Sequence, residues 1–379
     1  MTLGYDLSDQ HAQLRETVRA FAEGRLAPVA EQLDREGRFP ADLVQAAAEL
    51  GLLGIPLPES AGGSGFDTVA YAIAIEELAR VDSSFAITVA AHTSLGTMPI
   101  HLFGNQQQKA RWLDDLASGR GLGAFGLTEA GAGSDAGATR TTARLEGGEW
   151  VIDGSKMFIT NAGTPLSKLV TITARTGPDE VSNIVVENGT AGYDQSQPLK
   201  KMGWRSSDTR ELTFTGCRVP EQNLLGARGE GFHQFLEILD GGRISVAALG
   251  LGMAQGAFEM GLSYARQREQ FGRPIGSFQA IQFKLADMAT EVEAARNLVY
   301  KAAWLKDQGR PFAQQAAIAK LYTGELARRA CNESLQIHGG YGFMDEYPIS
   351  RFYRDAKVLE IGEGTNEVQR LVIARGLGL

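Results

Sequence analysis

Ile281, Leu285, Met288, Val292, Ala295, Val299 and Ala302 step by four and three through six consecutive intervals. That spacing puts every apolar side chain on one face of a long helix, and such a face must be covered by other helices, so this part of the chain is confined to a bundle. A second helix is predicted from Phe312 to His338. At the other end, Ser8-Asp9-Gln10 suits the start of a helix running through Leu14, Val18 and Phe21. Ala41 to Leu50 stops at Gly51, and Thr68 to Arg80 reads as a helix with its acidic residues outside.

Between these helical ends the period changes to two. Val170, Ile172 and Ala174 alternate with Thr171 and Thr173, and Leu212 and Phe214 with Thr213 and Thr215. Gly147-Gly148, Thr176-Gly177-Pro178-Asp179 and Asn188-Gly189 mark turns. Short strands joined this way predict a small antiparallel sheet or barrel.

Several function classes are disfavoured. A net charge of -8 over 379 residues argues against broad nucleic-acid binding. The five histidines have no metal-ligand spacing, and Cys217 and Cys331 give neither a zinc site nor a disulfide framework. No Gly-x-Ser-x-Gly elbow is present. No apolar run is long enough for a membrane span, and Met1-Thr2-Leu3-Gly4-Tyr5-Asp6 does not read as a signal peptide. A cytoplasmic, bacterial-type protein without a targeting sequence is expected.

Two glycine-rich stretches are candidates for chemistry. Gly131-x-Gly133-x-x-Ala136 matches a dinucleotide fingerprint superficially, but a Thr-rich, strand-like segment follows it where a helix is required. A loop of bare amides with the Thr128 and Ser134 hydroxyls still suits a flat or phosphate-bearing ligand, as it also suits a plain turn. Near the C-terminus, Glu363 lies between Gly362 and Gly364 before a final helix. A carboxylate held against apolar surface can act as a general base, although a glycine-flanked glutamate also suits a solvated turn.

In chain order, these stretches fall among Pro58-Glu59-x-x-Gly62-Gly63, Gly126-Leu127-Thr128-Glu129-x-Gly131-x-Gly133-Ser134-Asp135 and Gly154-x-Lys156-x-Phe158-Ile159-Thr160-Asn161-Ala162. Lys201-Met202-Gly203, Arg266-x-Arg268-x-Gln270-Phe271-Gly272-x-Pro274-Ile275, Phe278-Gln279-Ala280-Ile281-Gln282, Gln336-Ile337-His338-Gly339-Gly340-Tyr341-Gly342 and Glu363-Gly364-Thr365-Asn366-Glu367 continue the series. Over essentially its whole length the chain resembles the acyl-CoA dehydrogenase family of flavoproteins. The resemblance implies an α+β multidomain fold: an N-terminal α-helical domain (1–120), a middle antiparallel β-barrel or sheet domain (121–228) and a C-terminal four-helix bundle (229–379). It also implies a homotetramer, built as a dimer of dimers, with each FAD site shared between two subunits.

The same resemblance assigns roles. Phe125, Leu127, Thr128 and Ser134 would lie along FAD, with Phe158, Ile159 and Thr160 on its other side. Arg268, Gln270 and Phe271 would reach a neighbouring subunit's FAD pyrophosphate and adenine, a fork and an aromatic face suited to each. Phe278, Gln279, Gln336, Gly339 and Gly340 would approach the adenosine diphosphate, and Thr365 and Glu367 the pyrophosphate and ribose. Ser134, Asp240, Arg243 and Gly364 would contact the acyl-CoA, although Asp240 and Arg243, three residues apart, equally suit a plain ion pair on one helix face. Glu363 would take the α-proton while the β-hydrogen leaves as hydride to flavin N5, giving a trans-2-enoyl-CoA. Some branched-chain members carry the base one residue before the arginine matching Arg243. Here that residue is Gly242.

One departure concerns Gly362, where straight-chain members often have a bulky aromatic. The expected electron acceptor is an electron-transfer flavoprotein. The rival readings are an acyl-CoA oxidase using oxygen, disfavoured because the usual large oxidases carry a further C-terminal domain, and a non-catalytic FAD-retaining protein, disfavoured by Glu363.

Overall fold

The computed structural model describes residues 7–379. The opening six, read above for a signal peptide, lie outside the described residues. The chain begins with α1 (Asp9–Phe21), α2 (Ala27–Glu36), α3 (Ala41–Glu49), α4 (Thr68–Ala79) and α5 (Ser83–Ala91), then the shorter α6 (Met98–Phe103), α7 (Gln106–Gln108) and α8 (Asp114–Ala117). A sheet follows: β1 (Leu122–Gly126), β2 (Thr142–Glu146), β3 (Glu149–Thr160), β4 (Ser167–Gly177), β5 (Glu180–Glu187), β6 (Tyr193–Gln195), β7 (Thr209–Pro220) and β8 (Leu224–Leu225). The chain closes with α9 (Gly231–Gln267), α10 (Gln279–Asp307), α11 (Ala313–His338), α12 (Pro348–Ala356) and α13 (Asn366–Gly376).

Ser8 caps α1 as its sequence predicts. Its hydroxyl accepts from the His11 N–H at 3.3 Å, while the His11 ring accepts from the Ser8 N–H at 3.2 Å. On α10 the predicted stripe is buried from Leu285 to Ala302, with Ile281 partly covered, and it packs on α11, α9 and α4.

The expectation for α4 needs correction. Its acidic residues are not outside: every residue of the helix is buried, Glu76 and Glu77 to 2% exposure. The reason is position, since α4 lies between α1, α5, α9 and α10. Cations from two sides make the burial tolerable. Arg296 donates to Glu76 at 3.1 Å and Arg19 to Glu77 at 2.9 Å. Buried charges persist only when paired in this way. The α4 and α9 backbones nearly touch, for a Cβ on Gly252 would stand 2.2 Å from the Glu76 carbonyl oxygen.

The sheet runs β6-β7-β3-β2-β4-β5-β8, with β1 beside β4. Alternation on β7 buries Leu212 and Phe214 and exposes Thr213 and Thr215, as predicted. The sheet is mixed rather than antiparallel throughout, because β1 runs parallel to β4 and one β2–β4 pair is also parallel. A long excursion, 127–141, and the β2–β3 hairpin separate β1 from β4, and a parallel pair requires such a detour where a tight turn would reverse the chain.

One polar node ties the three layers together. Asp355 of α12 accepts from Ser83 Oγ of α5 and from the Trp204 N–H of the β6–β7 connection, both at 2.7 Å. Cys217 and Cys331 are buried free thiols. Among the described residues no helix is long and apolar enough to cross a membrane, and no cluster of His, Cys, Asp or Glu could hold a metal ion.

Candidate active site

Between α12 and α13 a short 3₁₀ turn, Lys357–Glu360, hands the chain to Gly362, Glu363 and Gly364. Glu363 and Gly364 are left-handed, with φ of 51° and 86°. For a residue with a Cβ this costs roughly 1 kcal/mol and persists only where the surroundings impose it. The Glu363 residue is partly exposed, yet its Oε2 is buried and has no hydrogen-bond partner. That oxygen lies against α9, where a Cβ on Gly242 would meet it at 2.6 Å. Burial pushes the carboxyl up to about 7, against the opposing pull of the Lys320 and Arg243 charges.

The loop around Glu363 is fastened from behind. Lys320 of α11 donates to the Gly364 carbonyl at 2.8 Å and to Asn366 Oδ1 at 3.2 Å. Gln369 Nε2 donates to the same Gly364 carbonyl at 2.9 Å. Thr365 caps α13, its hydroxyl accepting from the Val368 N–H at 3.2 Å, and Glu367 is exposed on the first turn of that helix. Arg243 is buried and pairs with Asp240, the plainer of the two arrangements the sequence allowed, while its Nε has no partner. Tyr71 of α4 donates to the Ala90 carbonyl at 2.9 Å and lies close enough for the Glu363 charge to act on its phenol. A cavity of about 110 Å³ bordered by Tyr71, Ser94, Ile238, Gly241 and Lys306 adjoins this region.

The first glycine-rich loop is held by a buried ion pair. Lys156 of β3 reaches Glu129 at 2.8 Å, and also the Leu127 carbonyl at 3.2 Å. The Glu129 carboxylate accepts from the backbone N–H groups of Arg140 at 2.7 Å and Thr141 at 3.0 Å. Burial would raise the Glu129 pKa, but the bonds from the Lys156 ammonium, the Thr139 hydroxyl and the Thr141 N–H outweigh it and hold the carboxyl down to about 2. One carboxylate therefore closes both ends of the 129–141 loop. Ser134 is left exposed at its tip, and Thr128 is partly exposed, its carbonyl accepting from the Met157 N–H at 2.8 Å.

Phe158, adjoining that contact, has a φ of 63° and is 65% exposed, so it is not the β-domain core residue that its type alone would allow. Thr160 is partly exposed. Ile159 points the other way into the β core, so any ligand contact it makes goes through its backbone. Phe125 packs with Phe235 and Ile238 of α9, with Leu127 alongside.

The remaining candidates form a separate group at the far end of α9 and α11. A cleft of about 540 Å³ is lined by Arg268, Gln270, His338, Gly339, Gly340 and Tyr341, among others. The Arg268 guanidinium lies 5.5 Å from the centre of the Tyr341 ring. Phe271, 92% exposed, meets Phe278 edge to face at 6.0 Å, and Gln279 and Gln336 are exposed. No residue of the β1–β8 sheet lines this cleft. A guanidinium, open glycine amides and aromatic rings beside a cleft of this size fit a dinucleotide's diphosphate and adenine.

Sequence reasoning assigned no role to Lys320, Gln369 or Tyr71, and left Glu129 and Lys156 as motif letters. Lys320 has a legible signal, a lone cation among Ala316, Ala317, Ala319, Thr323 and Gly324. Gln369 and Tyr71 have none, since nothing in their residue type shows that Gln369 turns back under the Gly364 carbonyl or that Tyr71 is covered on all sides.

A carboxylate with one buried, unpartnered oxygen and a nucleotide-sized cleft stand on one helical–β–helical frame, an arrangement suited to an enzyme. More narrowly, the chain belongs to the acyl-CoA dehydrogenase family. It matches that family's N-terminal domain over residues 8–120, its middle domain over 124–217 and its C-terminal domain over 229–378. It is 51% identical to a probable acyl-CoA dehydrogenase, YngJ, of Bacillus subtilis, covering 99% of this chain and all of that one. The structure of butyryl-CoA dehydrogenase from Megasphaera elsdenii superposes with a TM-score of 0.96 at 42% identity over 99% of both chains. An acyl-CoA dehydrogenase complexed with FAD from Bacillus anthracis gives 0.94 at 37% identity, over 99% of this chain and 68% of that one. The protein is thus an FAD-dependent oxidoreductase acting on acyl-CoA.

Proposed function

We propose that the protein converts a saturated acyl-CoA to the trans-2-enoyl-CoA, with Glu363 as the base that removes the α-proton. The observation that carries this reading is the buried Glu363 Oε2, which no protein donor occupies and whose carboxyl titrates near neutrality. Such a group is matched to abstracting a weakly acidic proton at physiological pH. The alternative base position is Gly242, whose missing side chain is the space that Oε2 fills.

The α-proton moves to Glu363, the α,β double bond forms, and the β-hydrogen departs with its electron pair. FAD, when bound, supplies the two-electron acceptor. Thr128, Ser134, Phe158 and Thr160 offer hydroxyls, amides and a ring face for one part of it. The Arg268–Gly340 cleft, with Phe271, Phe278, Gln279 and Gln336 at its edge, suits the adenosine diphosphate of a second copy's FAD. The separation of the two groups supports a site shared within a homotetramer. Thr365 and Glu367 then serve the loop as cap and first-turn residues beside the pyrophosphate. Asp240 and Arg243 remain an ion pair, with the free Arg243 Nε available to the CoA arm.

Gly362 and the adjoining cavity leave room near the base, and the butyryl-CoA dehydrogenase likeness makes C4 acyl-CoA the first substrate to try. Electrons then pass to an electron-transfer flavoprotein. Anaerobic titration of the holoenzyme with acyl-CoAs of graded length, with product analysis, tests the reaction. Bleaching of the flavin with stoichiometric enoyl-CoA is expected, whereas an unbleached flavin at every length overturns the proposal. Rapid peroxide formation in air would favour the oxidase reading.

A further inference from the structure

We propose that Lys320 is the positioning residue of Glu363: it pins the left-handed turn that aims the carboxylate and faces that carboxylate with a buried positive charge. The inference rests on the reading of Glu363 as the base.

Lys320 is 1% exposed, on a face of α11 otherwise made of Ala316, Ala317, Ala319, Thr323 and Gly324. An ammonium in such a place is costly unless it is matched. Its two hydrogen bonds go to the Gly364 carbonyl and Asn366 Oδ1, neither of them a carboxylate. The Gly364 carbonyl therefore takes two buried donors, Lys320 and Gln369, and Gln369 also reaches the Glu363 carbonyl at 3.5 Å. The positive φ of Glu363, a residue with a Cβ, persists because its surroundings fasten the turn in this way. The close fit extends along α11, where a Cβ on Gly324 would stand 3.0 Å from the Leu359 carbonyl oxygen and 3.4 Å from Asn366 Oδ1.

The charges around this point leave Lys320 acting on Glu363. Lys320 is faced by Glu363 and Glu360 from the turn, by Arg243 from α9 and by Glu367 from α13. Glu363 is faced by Lys320 and Arg243, with the Tyr71 phenol of α4 also within its field. Arg243 is already paired with Asp240, and Glu367 is exposed. Burial draws the ammonium down to about 8, so its charge is present at neutral pH and fades in mild alkali. Lys320 thus serves twice. Its hydrogen bonds set where the base points, and its charge keeps the base from being protonated at still higher pH.

The test is the pH profile of anaerobic flavin reduction by acyl-CoA in holoenzyme carrying Lys320→Met or Lys320→Gln. The second variant keeps a donor for the Gly364 carbonyl but no charge, and serves if the first does not fold. In both, the acid limb of the profile is expected to move up by about one pH unit, while K320R keeps it near the parent's position. FAD content and the affinity for a non-reducing acyl-CoA analogue should stay at parental values. A rate lowered equally at every pH, with the limb unmoved, would show a merely structural lysine and overturn the proposal. E363Q in the same assay separates the two claims: if it reduces flavin at the parent rate, the base assignment itself is wrong, whatever Lys320 does.

Discussion

Glu363 Oε2 occupies the space that a side chain at Gly242 would need, with only 2.6 Å between that oxygen and the position of a Cβ. In this chain a side chain at position 242 and the Glu363 carboxylate in its present rotamer cannot both be accommodated. A side chain on α9 and a carboxylate from the 363 turn compete for one volume.

Gly242→Ala should consequently act on the base and not on the fold. The new methyl meets the end of a flexible side chain, so Glu363 swings aside. Displacement by about 1 Å costs on the order of 10²-fold in rate. Stopped-flow flavin reduction should fall by that order while the melting temperature changes little. A variant that is equally fast leaves the competition without consequence.

Replacing Gly362 with Tyr should narrow the acyl range. A Cβ there stands 3.5 Å from its nearest neighbour, the Val358 carbonyl oxygen, so the backbone accepts a side chain. The ring then takes up room beside the base. Activity across an acyl-CoA series should fall most for long and branched chains, and an unchanged series contradicts the reading.

The pH dependence of stability has a definite sign. The Glu363 carboxyl titrates at about 7 in the native state against 4.5 in the unfolded chain. The native state holds a proton that the unfolded state has already released, so this contribution is full below pH 4.5 and is lost as pH rises through 7. The loss amounts to about 3 kcal/mol. Denaturation of E363Q and parent should show similar stability near pH 4 and an advantage for E363Q by pH 8. Parallel curves would mean that the carboxylate is not buried in solution.

Removing one partner of the Lys156–Glu129 pair strands a buried charge. K156M should lose about 3–5 kcal/mol in chemical unfolding, and adding E129Q should recover part of it. FAD retention should drop with the single change, because the loop bearing Ser134 is fastened through Glu129.

Much of the frame was legible in the sequence because it depends on periodicity and caps. The α10 stripe, the Ser8 cap and the β7 alternation are all local patterns. What was not legible depends on which surfaces meet. Glu76 and Glu77 read as solvent-facing until α4 proves to be covered on all sides, with Arg19 and Arg296 supplied from distant segments. The parallel β1–β4 pairing likewise follows from a long excursion and not from either strand's residues. At the site, Glu363 stood out through its flanking glycines. Gln369 did not, because a glutamine on an amphipathic helix gives no sign that its amide is fully buried beneath a loop.

The central claim is that the Glu363 carboxylate removes the proton, and the rate of anaerobic flavin reduction by saturating butyryl-CoA in E363Q holoenzyme addresses it most directly. The account predicts a fall of about 10³-fold, the scale of a lost general base, with FAD content and acyl-CoA affinity retained. Reduction at the parent rate would contradict it.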